Sequence, residues 1–130
     1  MKLSQIKNYT IEQFVQIGFK ENRAKEIIAL SIFQAIPSVG PGLANNVVND
    51  LGYYDFEQIR GQRGEELILA LEKKYGVWMD PCVEDGLRCI VYHANKPNSD
   101  KSWWDFTEER KAYRSKYGYP EDRPKKAWNE

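Results

Sequence analysis

The run Ile36-Pro37-Ser38-Val39-Gly40-Pro41-Gly42-Leu43-Ala44 has the residue types and spacing to hold an anion without a charged side chain. A helix opening at Pro41 leaves its first backbone N–H groups without intrahelical partners, and its macrodipole makes that end partly positive. An anion such as a phosphate can sit there on main-chain donors. Gly40 and Gly42 keep side-chain bulk out of the turn and tolerate unusual backbone angles. Pro37 and Pro41 stiffen it on both sides. Ile36, Val39 and Leu43 are placed to point inward and clamp the turn, and Ala44 is small where two helices would cross. From Ile36 to Tyr54 there is no Lys or Arg. Cations supply most of the non-specific affinity for phosphates, so the turn alone should bind weakly. The alternative is a tight helix–helix connector used only for packing.

Three further constellations carry chemistry. Cys82, Cys89 and His93 lie seven and four residues apart and can share one helix face, the geometry of a metal site. A structural zinc site normally adds a second cluster, yet His93 is the only histidine and there is no Cys-x-x-Cys. The residues are expected to be two buried, reduced thiols beside an apolar stripe, with His93 near the surface and no metal or cofactor. Trp103-Trp104 has the chemistry to stack unpaired bases. Burial is the commoner use, with one indole inward and the other partly exposed. Arg110, Lys111, Arg114 and Lys116, interleaved with Tyr113 and Tyr117, form the most basic stretch and are candidate phosphate-binding cations. The alternative is a solvated face balanced by Glu108, Glu109, Glu121 and Asp122. Residues 101–130 carry eight Lys or Arg against six Asp or Glu, a small surplus that favours the solvated face. A phosphate loop, dinucleotide fingerprint, hydrolase elbow or carboxylate pair is not found, and the acids read as helix-surface and cap residues. The chain is not expected to be an enzyme.

The elements that must position these residues are helices. Thr10-Ile11-Glu12-Gln13 is a capping box opening a short helix that Gly18 stops. A second helix is predicted from Glu21 to Ala35, apolar on more than one face and therefore central, ending before Pro37. Pro41 reopens a helix that Gly52 closes. A short turn at Asp55–Ile59 precedes a helix from Glu65 to Tyr75, with Leu67, Ile68, Leu71 and Tyr75 on its apolar face. Asp80-Pro81 caps and opens the next helix, striped by Val83, Leu87, Ile90, Val91 and Ala94. Thr107 begins a charged helix to about Tyr117. Residues 118–130, with two prolines and many charges, are expected to be a loose tail. No strand is predicted.

The reading is a single all-α domain over residues 1–117, a compact bundle of short helices. The length of 130 residues suits one modest core. Formal net charge is zero, which argues against binding nucleic acid by bulk charge. The chain shows neither a membrane-spanning run nor a signal peptide, so the expected location is cytoplasmic.

Ile36 to Ala44, followed by Val47-Val48, resembles the helix-hairpin-helix motif, here over residues 30–52. The usual first glycine is Ser38, and a position that is often lysine is Gly42. The resemblance implies sequence-independent contact with a DNA backbone through Ser38, Val39, Gly40, Gly42 and Leu43, the amides of the last four foremost. A wider likeness runs from Ile36 to Lys111. Asp80-Pro81-Cys82-Val83, Leu87-Arg88-Cys89-Ile90-Val91-Tyr92 and Trp103-Trp104-Asp105-Phe106-Thr107 with Arg110-Lys111 are similar to the pathogenicity locus family. These are small bacterial helix-hairpin-helix proteins, some described as mitomycin resistance proteins. The likeness implies an all-helical fold, DNA as partner, a link to DNA repair or damage resistance, and no established enzymatic activity. A protein-interaction module that keeps the hairpin as scaffold is the alternative.

Overall fold

The structure is a computed structural model and describes residues 9–130. It is all-α. Helix α1 spans Ile11–Gln16 and α2 spans Glu21–Gln34. Helix α3, Pro41–Asn45, continues directly into a π turn at Asn46–Asp50. Helix α4 is Phe56–Ile59, α5 is Gly64–Tyr75 and α6 is Pro81–Asn95. A 3₁₀ turn at Trp103–Phe106 leads into α7, Thr107–Tyr117. Among the described residues there is no strand, only an isolated bridge between Trp78 and Ala127. No described helix is long and apolar enough to cross a membrane.

Local chemistry sets the boundaries. Thr10 and Gln13 close the predicted capping box in both directions, at 3.1 and 2.7 Å. Asp55 accepts from the Gln58 amide and Asp80 from the Cys82 amide, fixing the starts of α4 and α6. Gly76 ends α5 in the left-handed region, where a side chain would be strained. The π turn arises where the Leu51 amide reaches back five residues to the Asn46 carbonyl.

Helix α2 packs against α1, α3 and the π turn, as its apolar faces suggested, but α6 is the more enclosed helix. Every residue from Glu84 to Ile90 is buried, so this stretch has neighbours on all sides. Helices α3, α4, α5 and α7 and the 3₁₀ turn all contact α6. Leu87 and Ile90 join Phe33, Val47, Val48, Ile59, Ile68 and Leu71 in one core. Two crossings are close. At Gly64 a Cβ would meet the Arg88 backbone at 2.7 Å, and at Gly86 it would meet the end of the Leu43 side chain at 2.5 Å.

Three acids expected at the surface are buried instead, because arginines from later in the chain neutralise them. Asp85 accepts from Arg110 Nε at 2.6 Å and from the Thr107 hydroxyl at 2.9 Å. Glu84 is bound by Arg88, Arg114 and the Tyr119 hydroxyl. Glu72 accepts from Arg123 Nε and Nη2, each at 2.8 Å, and also from the Met79 amide. A buried charge is tolerable only when paired and hydrogen-bonded in this way.

The same pairs reach into residues 118–130, the segment expected to be a loose tail. Arg123 lies on Glu72, and the Tyr119 hydroxyl lies on Glu84. The Trp78 amide donates to the Lys126 carbonyl and the Trp128 amide to the Trp78 carbonyl, burying Ala127. Tyr75, predicted on the apolar face of α5, is half exposed. Its hydroxyl donates to Asp50 at 2.6 Å, and this bond raises its pKa.

Candidate functional site

The turn between α2 and α3 is built around a serine in an unusual conformation. Ser38 has φ 69°, the left-handed region that few non-glycine residues enter. Its hydroxyl oxygen accepts from the Trp103 amide at 2.9 Å, tying the turn to the start of the 3₁₀ segment. Ile36, Val39 and Ala44 are buried beneath the turn and Leu43 is half-buried, matching the inward clamp expected of them.

The candidate amides divide into two groups. The Val39 amide donates to the Ile36 carbonyl at 3.2 Å, so this residue is part of the turn's own bracing and not an open donor. The amides of Gly40, Gly42 and Leu43 have no acceptor among the described residues. The Gly40 carbonyl accepts from the Ala44 amide, as a residue flanking a helix start does. Around Gly40 and Gly42 a Cβ would meet nothing within 4 Å.

A groove of about 470 Å³ opens beside the turn. Gly42 and Leu43 border it, together with Asn46, Met79, Cys82 and Val83. Trp103 and Trp128 supply its aromatic surface. Trp104, the other half of the pair, stands 58% exposed and meets Trp103 edge-on at 5.6 Å between ring centroids. One indole is therefore partly inward and one outward, as expected. Trp128 was not singled out in the sequence. An isolated tryptophan in a charged segment is a signal for it, because so large an aromatic is rarely left without a contact.

The four basic candidates also divide. Arg110 and Arg114 are internal, bound to Asp85 and Glu84, so they are not on the solvated face that the sequence suggested for this stretch. Burial opposes the Arg110 charge, but the Asp85 hydrogen bond and charge prevail and raise its pKa. Lys111 and Lys116 are exposed, Lys111 lying 3.8 Å from Glu108 and Lys116 against the Tyr117 ring.

Cys82, Cys89 and His93 do not converge. Cys89 and His93 both turn to the Lys101 carbonyl, at 3.6 and 2.8 Å, whereas Cys82 lies on the groove. The burial states differ from expectation, because Cys82 is exposed and His93 is buried. Burial, reinforced by Asp105, pushes the Cys89 thiol up to about 12, which keeps it neutral and a poor ligand or nucleophile. Among the described residues no three His, Cys, Asp or Glu side chains are grouped to hold a metal.

A small all-α protein with an open, glycine-bearing turn beside an aromatic groove is the class these features define. The chain belongs to the Cdd1 pathogenicity locus family, whose model matches residues 26–112. The match takes in α2 from Glu26, the turn, α3 to α6, the tryptophan pair and α7 as far as Ala112. Arg114, Tyr119, Arg123 and Trp128 lie beyond it. No curated protein gives a match, and no solved structure does.

Proposed function

We propose that this chain is a non-catalytic, sequence-independent DNA-binding protein of the helix-hairpin-helix type. The turn between α2 and α3 touches a backbone phosphate through main-chain amides. The observation that supports this reading is the coincidence of bare glycines with amides that lack an acceptor. Neither Gly40 nor Gly42 has a positive φ, and neither faces a neighbour that a Cβ would strike. Packing and backbone geometry therefore make no demand for glycine at either position. Room for something that approaches from outside does make that demand. The donors are then the amides of Gly40, Gly42 and Leu43, with Ser38 shaping the corner that the motif usually gives to glycine. Lys111 and Lys116 are the members of the basic helix available to add charge. The reading includes no metal or cofactor, and it suits a role in DNA repair or damage resistance.

Fluorescence anisotropy of a labelled duplex tests the reading. With two lysines on phosphates, log affinity falls against log salt with a slope of about −2. Between 50 and 200 mM salt binding weakens by roughly tenfold. Neutralising Lys111 and Lys116 flattens the slope and leaves weak binding through the turn.

A second reading, a protein-interaction module with the turn as scaffold, is favoured by one observation. The turn has no cation of its own from Ile36 to Tyr54, and Arg110 and Arg114 are bound inside. It predicts no duplex binding even at the lower salt concentration.

A further inference from the structure

We infer that the groove beside the turn takes one unpaired nucleobase, so that the preferred DNA carries a single-stranded end, gap or flap. This inference rests on the hairpin reading above and names its substrate class. A nucleobase is flat, uncharged and polar at its edge. The groove offers the matching chemistry. Trp103 and Trp128 supply indole surface on which a base stacks. The Asn46 carboxamide, with no side-chain hydrogen bond among the described residues, offers the donor and acceptor that a base edge can use. No Lys or Arg borders the groove, and its one charged lining residue is Asp80, whose carboxylate repels a phosphate, so the groove suits the base and not the phosphate itself.

Position joins the two sites. Gly42 and Leu43 border the groove and also carry two of the amides that lack an acceptor. A phosphate on those amides places the nucleotide's own base at the groove. At about 470 Å³ the groove lies within the range of small-ligand sites, roughly 300–1,000 Å³. A base inside an intact duplex cannot reach such a surface without leaving its stack, which costs a few kcal/mol. An unpaired base makes no such sacrifice. The Trp128 backbone is fixed to Trp78 while its indole stays 48% exposed, so the ring is held in place and left open. An aromatic peptide side chain would also suit the indoles, but it has no use for the adjoining amides.

The test compares, by anisotropy, a labelled blunt duplex, the same duplex with a short single-stranded overhang, and an overhang whose sugars lack bases. The wild-type chain is expected to bind the overhang about tenfold tighter than the blunt duplex, the scale of one stacked base. The baseless overhang, with every phosphate kept, is expected to lose that gain. Trp128→Ala and Asn46→Ala are expected to reduce the preference while blunt-duplex affinity holds. Equal binding of blunt and overhang DNA overturns the inference and leaves the hairpin reading standing, and it is also what a groove reserved for a protein partner would give. A preference that survives both base removal and Trp128→Ala overturns it as well. Absence of binding to any of the three DNAs overturns the hairpin reading together with the inference.

Discussion

Asp85 is fully buried on α6, and its charge is met by Arg110 from α7 and by the Thr107 hydroxyl. Removing a buried ion's partner strands the charge, at a cost of about 3–5 kcal/mol. Arg110→Ala is therefore expected to lower the urea-derived stability by about that amount. Lys111→Ala, one position on and exposed, is expected to change it by less than about 0.5 kcal/mol. Equal effects of the two substitutions would refute the assignment of Arg110 to the interior. The cysteines give a second prediction. A thiol reagent at neutral pH should modify exposed Cys82 in the folded protein and Cys89 only after unfolding. Burial raises the Cys89 pKa to about 12 from an ordinary 9, so the folded state favours the neutral thiol. That contribution is complete below pH 9 and is lost as pH rises from 9 towards 12. Tyr119 adds to the same alkaline loss, because burial and then Glu84 raise its pKa above 10. Cys89→Ala is expected to make the stability curve flatter across that window.

Helix α6 and its two glycine crossings hold the elements together. Alanine at Gly64 would drive a methyl group into the Arg88 backbone, which cannot swing aside. The expected loss is about 3 kcal/mol or more, with the offset of α5 from α6 disturbed. Alanine at Gly86 meets the end of the Leu43 side chain, which can rotate, and gains up to about 1 kcal/mol of helix propensity. Gly86→Ala is expected to stay within about 1 kcal/mol of wild type in the same denaturation experiment, and a ranking in the other direction would contradict the crossing geometry. The helices themselves were legible in the sequence because their signals are local: the Thr10 capping box, the Asp80 cap and the prolines that open α3 and α6. The central place of α6 was hidden. Glu84, Asp85 and Arg88 interrupt its apolar stripe, and they read as solvent-facing until their partners are known. Those partners lie far along the chain. Thirty residues separate Arg114 from Glu84, and 51 separate Arg123 from Glu72. No short-range pattern connects residues so far apart.

The whole molecule has 19 basic and 19 acidic residues. Many of these charges serve the fold, and the C-terminal segment closes over α5 and α6 through Arg123 and Tyr119. The candidate site was legible in the same uneven way. The turn could be located from its glycines and prolines, because they constrain backbone geometry within a few residues. The groove could not, because it is assembled from the turn, α6, the 3₁₀ segment and Trp128, which only tertiary packing brings together. The loss of Arg110 and Arg114 from the basic set throws more of any DNA affinity onto the turn. The decisive measurement is therefore duplex binding by a variant carrying Gly40→Asp and Gly42→Asp, with its urea midpoint recorded alongside. Both positions face open space, so the fold should tolerate the change, while two carboxylates placed at the amides repel a phosphate. Contact through the turn's amides requires binding at least tenfold weaker with an essentially unchanged midpoint. Unchanged affinity in a folded variant would contradict it.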